Sequence, residues 1–316
     1  MSCKLNTARV WISQIPSIFS NLAFEEWLLA HHDFRNYDGL FIYRNLPSVV
    51  VGRFQNPWIE ADIPFLIRHG IEIARRKSGG GAVYHDSDNI NVTFFRSASR
   101  LSRRENLDWM VDLIRDRFGI VSHVGERFWQ FTISLNRGLG SCWLHISGSA
   151  ERRTQRQGYH HATLLLNCNR RRLMSALSPS LDLDWVVTNA TLSYRSPVGS
   201  LHDVNAYLRH DDVVHELWRA FSAPAKRADV EHLTEKDLRD RVGLESLENE
   251  LRSWDWIFGQ TPKFRLKLDN GNRWMTVEKG LVTNIEGHFP SYAFKRYLER
   301  PFSVKLLNVF RVEAMN

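Results

Sequence analysis

The stretch Arg75-Arg76-Lys77-Ser78-Gly79-Gly80-Gly81-Ala82-Val83-Tyr84-His85-Asp86 sets a triple glycine between a basic cluster and a strand-like run. Such a turn reads as a phosphate cradle. Glycine accepts positive φ and leaves backbone N–H groups open to an anion, to which the flanking cations add Coulombic attraction. Neither common phosphate loop fits: a Walker loop carries Lys-Ser or Lys-Thr after its last glycine, and a Rossmann fingerprint is G-x-G-x-x-G opening a helix. Here the glycines lead into Ala82-Val83-Tyr84, with Asn91-Val92-Thr93-Phe94-Phe95 beyond, the pattern of a loop between strands. A tight hairpin turn is the plain alternative.

Working outward, residues 71–75 alternate as a strand entering the loop, and residues 63–69 are helical in pattern. Upstream, residues 39–44 and 48–52 are β-rich runs separated by Asn45-Leu46-Pro47. Residues 21–29 space their apolar side chains as an amphipathic helix with Ser20 as N-cap, and Val10-Trp11-Ile12 reads as a first strand. Downstream, helices are expected over 105–118 and 213–221 and a strand at 164–166. Ala223-Pro224-Ala225-Lys226 reads as a boundary; a charged helical stretch over 234–254, strands at 263–268 and 274–277 and a last helix near 293–298 follow. Hairpin-like strands with scattered helices argue for an α+β fold rather than alternating βαβ units. The division expected is 1–224 as the catalytic domain and 225–316 as a small accessory domain.

The chain of 316 residues exceeds the usual ~100–200 per domain, which also favours two unequal domains. No apolar run approaches the ~18 residues of a membrane-spanning helix, so membrane insertion is not expected. Cys3, Cys142 and Cys168 form no C-x-x-C pair, which indicates a reducing compartment and argues against a disulfide framework or zinc ribbon; Cys142 and Cys168 read as packing residues. A net charge of +7 suits an anionic partner. The basic clusters at 100–104, 151–153 and 170–172 lack interleaved aromatics, so they read as solvated faces and nucleic acid is not expected. His160 and His161 have no carboxylate or thiol at metal-site spacing, so hydrogen bonding is expected of them and no metal site. Residues 1–24 carry Lys4 and Arg9 and no acidic residue, weakly like an organelle presequence.

Residues 47–58, His145-Ile146-Ser147-Gly148-Ser149-Ala150 and Tyr159-His160-His161-Ala162-Thr163-Leu164-Leu165 echo the glycine loop. Together with residues 75–86 and 89–95, and in this order, they resemble the lipoate–protein ligase and lipoyltransferase family. Val83-Tyr84-His85-Asp86, Glu105-Asn106-Leu107 and Arg127-Phe128 are shared with its animal mitochondrial branch, and residues 253–264 look like the junction into its accessory domain. The resemblance implies a biotin/lipoyl protein ligase-like catalytic domain with a mixed sheet and a small α+β C-terminal accessory domain. The substrate implied is lipoyl-AMP, with ATP and Mg added if lipoate activation is retained. Arg76, Ser78 and the backbone of Gly79, Gly80, Gly81, Ala82, Val83 and Tyr84 would hold the acyl-phosphate end and Arg127 would add charge. Gly148 belongs to the same binding set, Thr163 would line the adenylate site, and Thr191 is a weaker candidate for its adenine side. An acyl-adenylate is already activated, so the protein must neutralise the phosphate, orient the carbonyl and admit an amine. The acceptors implied are lipoyl domains of 2-oxoacid dehydrogenase E2 subunits and the glycine-cleavage H protein, the protein acting as a monomer in mitochondria.

Where the family places a lysine before Ile-Ser-Gly, in contact with the acyl carbonyl and phosphate, this chain has His145, which becomes the catalytic candidate. Trp129 stands for an Asp, Asp88 and Phe54 replace a usual Gly and His, and the stretch between Phe128 and His145 is about nine residues longer than the family pattern. A diverged site and a misread stretch from Trp129 to Leu144 both account for this. Transfer from lipoyl-AMP is the leading reading. A full ligase and a non-catalytic lipoyl-domain or adenylate-binding paralogue are the alternatives; a Cys-dependent octanoyltransferase fits less well, because the thiols fall elsewhere.

Overall fold

The computed structural model describes residues 7–125, 131–136, 141–269, 273–287 and 296–315, with the backbone alone at 131, 134–136, 141–142 and 311–315. Its main sheet has six strands in the order Ser147–Arg153, Gln157–Leu165, Asn89–Ser97, Asp38–Tyr43, Thr7–Ser13, Arg227–Leu233. The first four are mutually antiparallel and the last two join in parallel, so the sheet is mixed.

Alternation along the strands splits two cores. Ile90, Val92 and Phe94 face a cluster built with helices Arg103–Phe118 and His210–Ser222. The opposite face packs on helix Ile18–His31. Register places three rows of side chains on that second face: Phe95 beside Tyr159, then Phe41, Thr93 and His161, then Tyr43, Asn91 and Thr163. The face thus turns from aromatic to polar toward one end of the strands, where the glycine loop lies.

Helix Ile18–His31 starts one turn before the expected cap: Ser17 is its N-cap and accepts from the Ser20 N–H, because burial of Ile18 and Phe19 extends the helix beyond its amphipathic stretch. The expected charged helix over 234–254 is three helices, Glu235–Arg239, Leu244–Arg252 and Trp254–Ile257, interrupted at Gly243 with φ +82° and at Ser253. The last expected helix lies partly outside the described residues, whose remainder there, 296–299, is turn; a helix spans Val304–Met315.

Strands Val186–Thr188, Phe264–Lys267, Trp274–Glu278 and Leu281–Glu286 form a second sheet, packed on Trp58 and Ile59. The turn at Ala223–Ala225 leads directly into Arg227–Leu233, an edge strand of the main sheet, while Val186–Thr188 belongs to the second sheet. Neither sheet is therefore delimited by that turn. Among the described residues no helix is long and apolar enough to cross a membrane.

Candidate active site

Strand Ser48–Val51 pairs in parallel with Glu72–Arg75 on one side and antiparallel with Val83–His85 on the other. The glycine loop joins the two outer strands and so arches over the end of the middle one; it is a loop between strands and not a hairpin turn. Gly80, at the crown, has φ +85°.

The three cations before the glycines do not share one task. Arg75 is fully buried, and its guanidinium donates to the carbonyls of Gly52, Arg53, Gln55, Trp256 and Ile257 and to Thr261 Oγ1, while Trp256 Nε1 donates back to the Arg75 carbonyl at 2.7 Å. Lys77 pairs with Glu250 at 2.9 Å. Arg76 turns into the loop: its Nη1 donates to Val50 O at 3.1 Å, Nη2 to Gly79 O at 2.6 Å and Gly81 O at 2.7 Å, and Nε to Ser78 Oγ at 3.0 Å. Burial lowers the Arg76 pKa to about 10, which leaves it charged at neutral pH. The Coulombic help expected from all three is thus left to Arg76, which shapes the loop with most of its donors. Of the loop amides, Ala82 N–H donates to Ser193 Oγ at 2.8 Å.

Two connected cavities flank the loop. One, of about 430 Å³, is lined by His145, Arg170, Leu173, Met174 and Arg195 among others. The second, of about 520 Å³, runs between the sheet and helix Ile18–His31 past Leu22, Tyr43, Val50, Arg76, Arg103 and His161. Ala82, Val83, Gly148, Thr163, Ser193 and Tyr194 line both, so they form the junction. Gly148 belongs there for a steric reason: a Cβ on it would sit 3.0 Å from Val83 Cγ1.

The polar floor of the junction is a directed chain. Asn45 Nδ2 donates to His85 Nδ1 at 2.9 Å, His85 Nε2 donates to Thr163 Oγ1 at 3.1 Å, and Thr163 donates to Asn91 Oδ1 at 2.8 Å. Burial, and secondarily His161 and Arg76, pushes the His85 pKa down to about 3, so it stays neutral.

Of the residues expected at the site, Arg76, Gly79, Gly80, Gly81, Ala82, Val83, Tyr84, His145, Gly148, Thr163 and Thr191 line one or both cavities. Ser78 is buried beneath the loop and lines neither. Thr191 lines the second cavity, with its N–H donating to Phe54 O at 3.0 Å. Arg127 lies outside the described residues. His145 ends the strand Ser141–His145, is held by backbone bonds to Pro197 and Gly199, and carries a buried Nδ1 with no hydrogen-bond partner among the described residues. Burial lowers its pKa, so the imidazole is neutral at neutral pH.

Sequence reading missed Arg103, Arg170 and Ser193. The two arginines sit in basic runs that looked like solvated faces, yet each lines a cavity. Arg103 donates to Ser149 Oγ at 3.2 Å and Arg170 pairs with Asp203. Cys168 is half-buried, its thiol pushed up to about 11 by burial, the inert behaviour expected of it; Cys142 falls where only the backbone is described. Among the described residues no group of three or more His, Cys, Asp or Glu side chains is placed to hold a metal ion. His160 hydrogen-bonds Asn106, and His161 lies between Ser78 and Glu25.

Residues 17–222 match the family described as the lipoyl protein ligase A/B catalytic domain. The mouse protein named lipoyl amidotransferase LIPT1, mitochondrial, is 35% identical over 253 residues, covering 78% of this chain and 64% of the relative, so the chain spans less than two thirds of that protein's length. A Bdellovibrio bacteriovorus protein named lipoate-protein ligase A is 33% identical over 262 residues, covering 83% of this chain and 75% of the relative. The structure of P. falciparum LipL1 in complex with lipoate superposes with a TM-score of 0.66 over 96% of this chain and 93% of that one, at 20% identity, which establishes the shared fold. The mixed sheet, the arched glycine loop and these matches place the chain in the lipoyl protein ligase A/B catalytic-domain family.

Proposed function

We propose that this protein is an acyltransferase that moves the lipoyl group from lipoyl-AMP to a lysine of lipoyl domains, those of 2-oxoacid dehydrogenase E2 subunits and the glycine-cleavage H protein. The observation that carries the reading is the junction of two cavities at the glycine loop. The lobe walled by Leu22, Tyr43, Val50 and Ala162 suits an apolar acyl chain; the other suits the nucleotide, and the acyl phosphate falls where Ala82, Gly148 and Thr163 meet. Loop N–H groups then stabilise the phosphate as leaving group, while the acceptor amine attacks the carbonyl at the junction. Neutral His145 can orient the adenylate by hydrogen bonding but does not supply the positive charge of the family lysine. The name of the mouse relative supports transfer and a mitochondrial location. The name of the Bdellovibrio relative supports a second reading, in which lipoate is first activated with ATP.

The test is acyl transfer to an isolated lipoyl domain from preformed lipoyl-AMP, run beside lipoate with ATP and Mg. Transfer from lipoyl-AMP alone is expected. Transfer from both donors establishes the ligase. No transfer from either, with lipoyl-AMP still binding in calorimetry, replaces the enzyme with a binding module.

A further inference from the structure

Beneath the glycine loop, four side chains from three separate elements form one chain of hydrogen bonds. Arg76 Nε donates to Ser78 Oγ at 3.0 Å, Ser78 Oγ lies 2.9 Å from His161 Nε2, and His161 Nδ1 lies 3.2 Å from both Glu25 carboxylate oxygens. Glu25 also accepts from Tyr43 Oη at 3.1 Å and from Thr93 Oγ1. In the tautomer of His161 whose Nδ1–H donates to the Glu25 carboxylate, Nε2 accepts from the Ser78 hydroxyl, and Ser78 Oγ in turn accepts from Arg76 Nε. Arg76 is thereby connected to Glu25 through Ser78 and His161.

The other Arg76 donors hold the carbonyls of Gly79 and Gly81. Each peptide unit is planar, so aiming those carbonyls also aims the N–H groups of the following residues, Gly80 at the crown and Ala82, whose N–H meets Ser193 Oγ. His161, meanwhile, lines the larger cavity beside Leu22, Tyr43 and Val50. It lines the acyl lobe, as Arg76 does, and reaches the loop through Ser78.

We propose that His161 is a positioning residue that holds the glycine loop in its phosphate-binding shape through Ser78 and Arg76, and so makes the grip on the acyl phosphate depend on the acyl lobe. This rests on the reading of the site given under Proposed function. A ring that merely walled the acyl lobe would affect free lipoate and lipoyl-AMP alike. A positioning residue affects chiefly the ligand that carries the phosphate.

The experiment compares calorimetric affinities for lipoate and for lipoyl-AMP in the full chain and in His161→Leu, His161→Gln, Ser78→Ala and the Ser78→Ala/His161→Leu double variant. His161→Leu and Ser78→Ala should each weaken lipoyl-AMP by about tenfold or more, the scale of a broken hydrogen bond linked to a charged group, and lipoate by less than about threefold. The double variant should be no worse than the poorer single one, since both break the same chain. His161→Gln, whose amide can accept from Ser78 and donate to Glu25, should recover most of the affinity. Equal losses for the two ligands, or additive losses in the double variant, would overturn the proposal. If His161→Leu fails to fold, Ser78→Ala decides by the same comparison. If the unaltered chain binds neither ligand, the acyl-adenylate reading fails; the relay is then judged by amide exchange at Gly79–Ala82, which accelerates in Ser78→Ala if the relay holds the loop and is unchanged if it does not.

Discussion

Gly52 and Gly80 meet backbone against backbone: a Cβ added to Gly52 would lie 2.1 Å from the carbonyl oxygen of Gly80. The turn that leaves strand Ser48–Val51 and the crown of the glycine loop therefore coexist only with glycine at 52. Gly80 adds a second requirement through its φ of +85°.

Gly52→Ala should push the crown outward and weaken lipoyl-AMP binding by about tenfold to a hundredfold, the scale of 1–3 kcal/mol of local strain. Gly80→Val should lose binding as well, since its side chain meets both the positive φ and Arg76 Nη2, 3.1 Å from the added Cβ. Gly79→Ala is the control: nothing lies within 4 Å of a Cβ there, so calorimetry should find it close to the unaltered chain. Unchanged affinity in Gly52→Ala would mean that the arch yields at little cost.

Arg76→Ala should reduce stability as well as binding, because it strips donors from the buried carbonyl of Val50 and the half-buried carbonyls of Gly79 and Gly81. An orphaned buried acceptor costs about 1–3 kcal/mol, and water can reach the other two, so a loss of about that size is expected in urea unfolding. Arg76→Lys should recover little, since an ammonium cannot reproduce the forked geometry. A loss below about 1 kcal/mol would show that the freed carbonyls find other partners.

His145→Lys should raise transfer from lipoyl-AMP by at least about tenfold, within the 10²–10³ that one preorganised donor typically contributes. The unaltered chain should be favoured by mild acid, because burial holds the His145 pKa below its ordinary value and only a falling pH charges the ring. An unchanged rate in the lysine variant, with the unaltered chain active, would place the compensating charge elsewhere.

Stability should fall as the solution is acidified below about pH 6.5, where histidines in the unfolded chain take up protons that buried His85 refuses until about pH 3. In that window the unfolded state binds more protons, so stability rises with pH. The contribution is about 1.4 kcal/mol per pH unit for His85, and His160, also held neutral by burial, acts in the same direction. His85→Asn should flatten the acid slope of urea-derived stability by about that amount; a slope equal to that of the unaltered chain would contradict the assignment.

Legibility followed distance along the chain. The strands on either side of the glycine loop and the helix expected over 105–118, which spans Arg103–Phe118, rest on periods of two or 3.6 residues within a short stretch of chain. The start of helix Ile18–His31 and the breaks at Gly243 and Ser253 were less legible, because burial of Ile18 and Phe19, and the packing of Leu244–Arg252 on that helix, bear on where those helices begin and stop.

By itself the sequence determined that a glycine-rich loop stands between two strands, and that the motifs around it follow the order of one enzyme family; both are properties of adjacent residues. Only the tertiary structure decided what Arg75, Arg76 and Lys77 do. The three are neighbours of like charge, yet Arg75 hydrogen-bonds a carbonyl 182 positions away, Arg76 folds back on carbonyls 3 and 5 positions on, and Lys77 reaches Glu250. Successive side chains leave a strand end in different directions, and each cation takes whatever oxygen the packing brings within reach. The same holds for Ser78 and His161, 83 positions apart and 2.9 Å from one another: strand register and the arch of the loop bring them together, and local sequence pattern encodes neither.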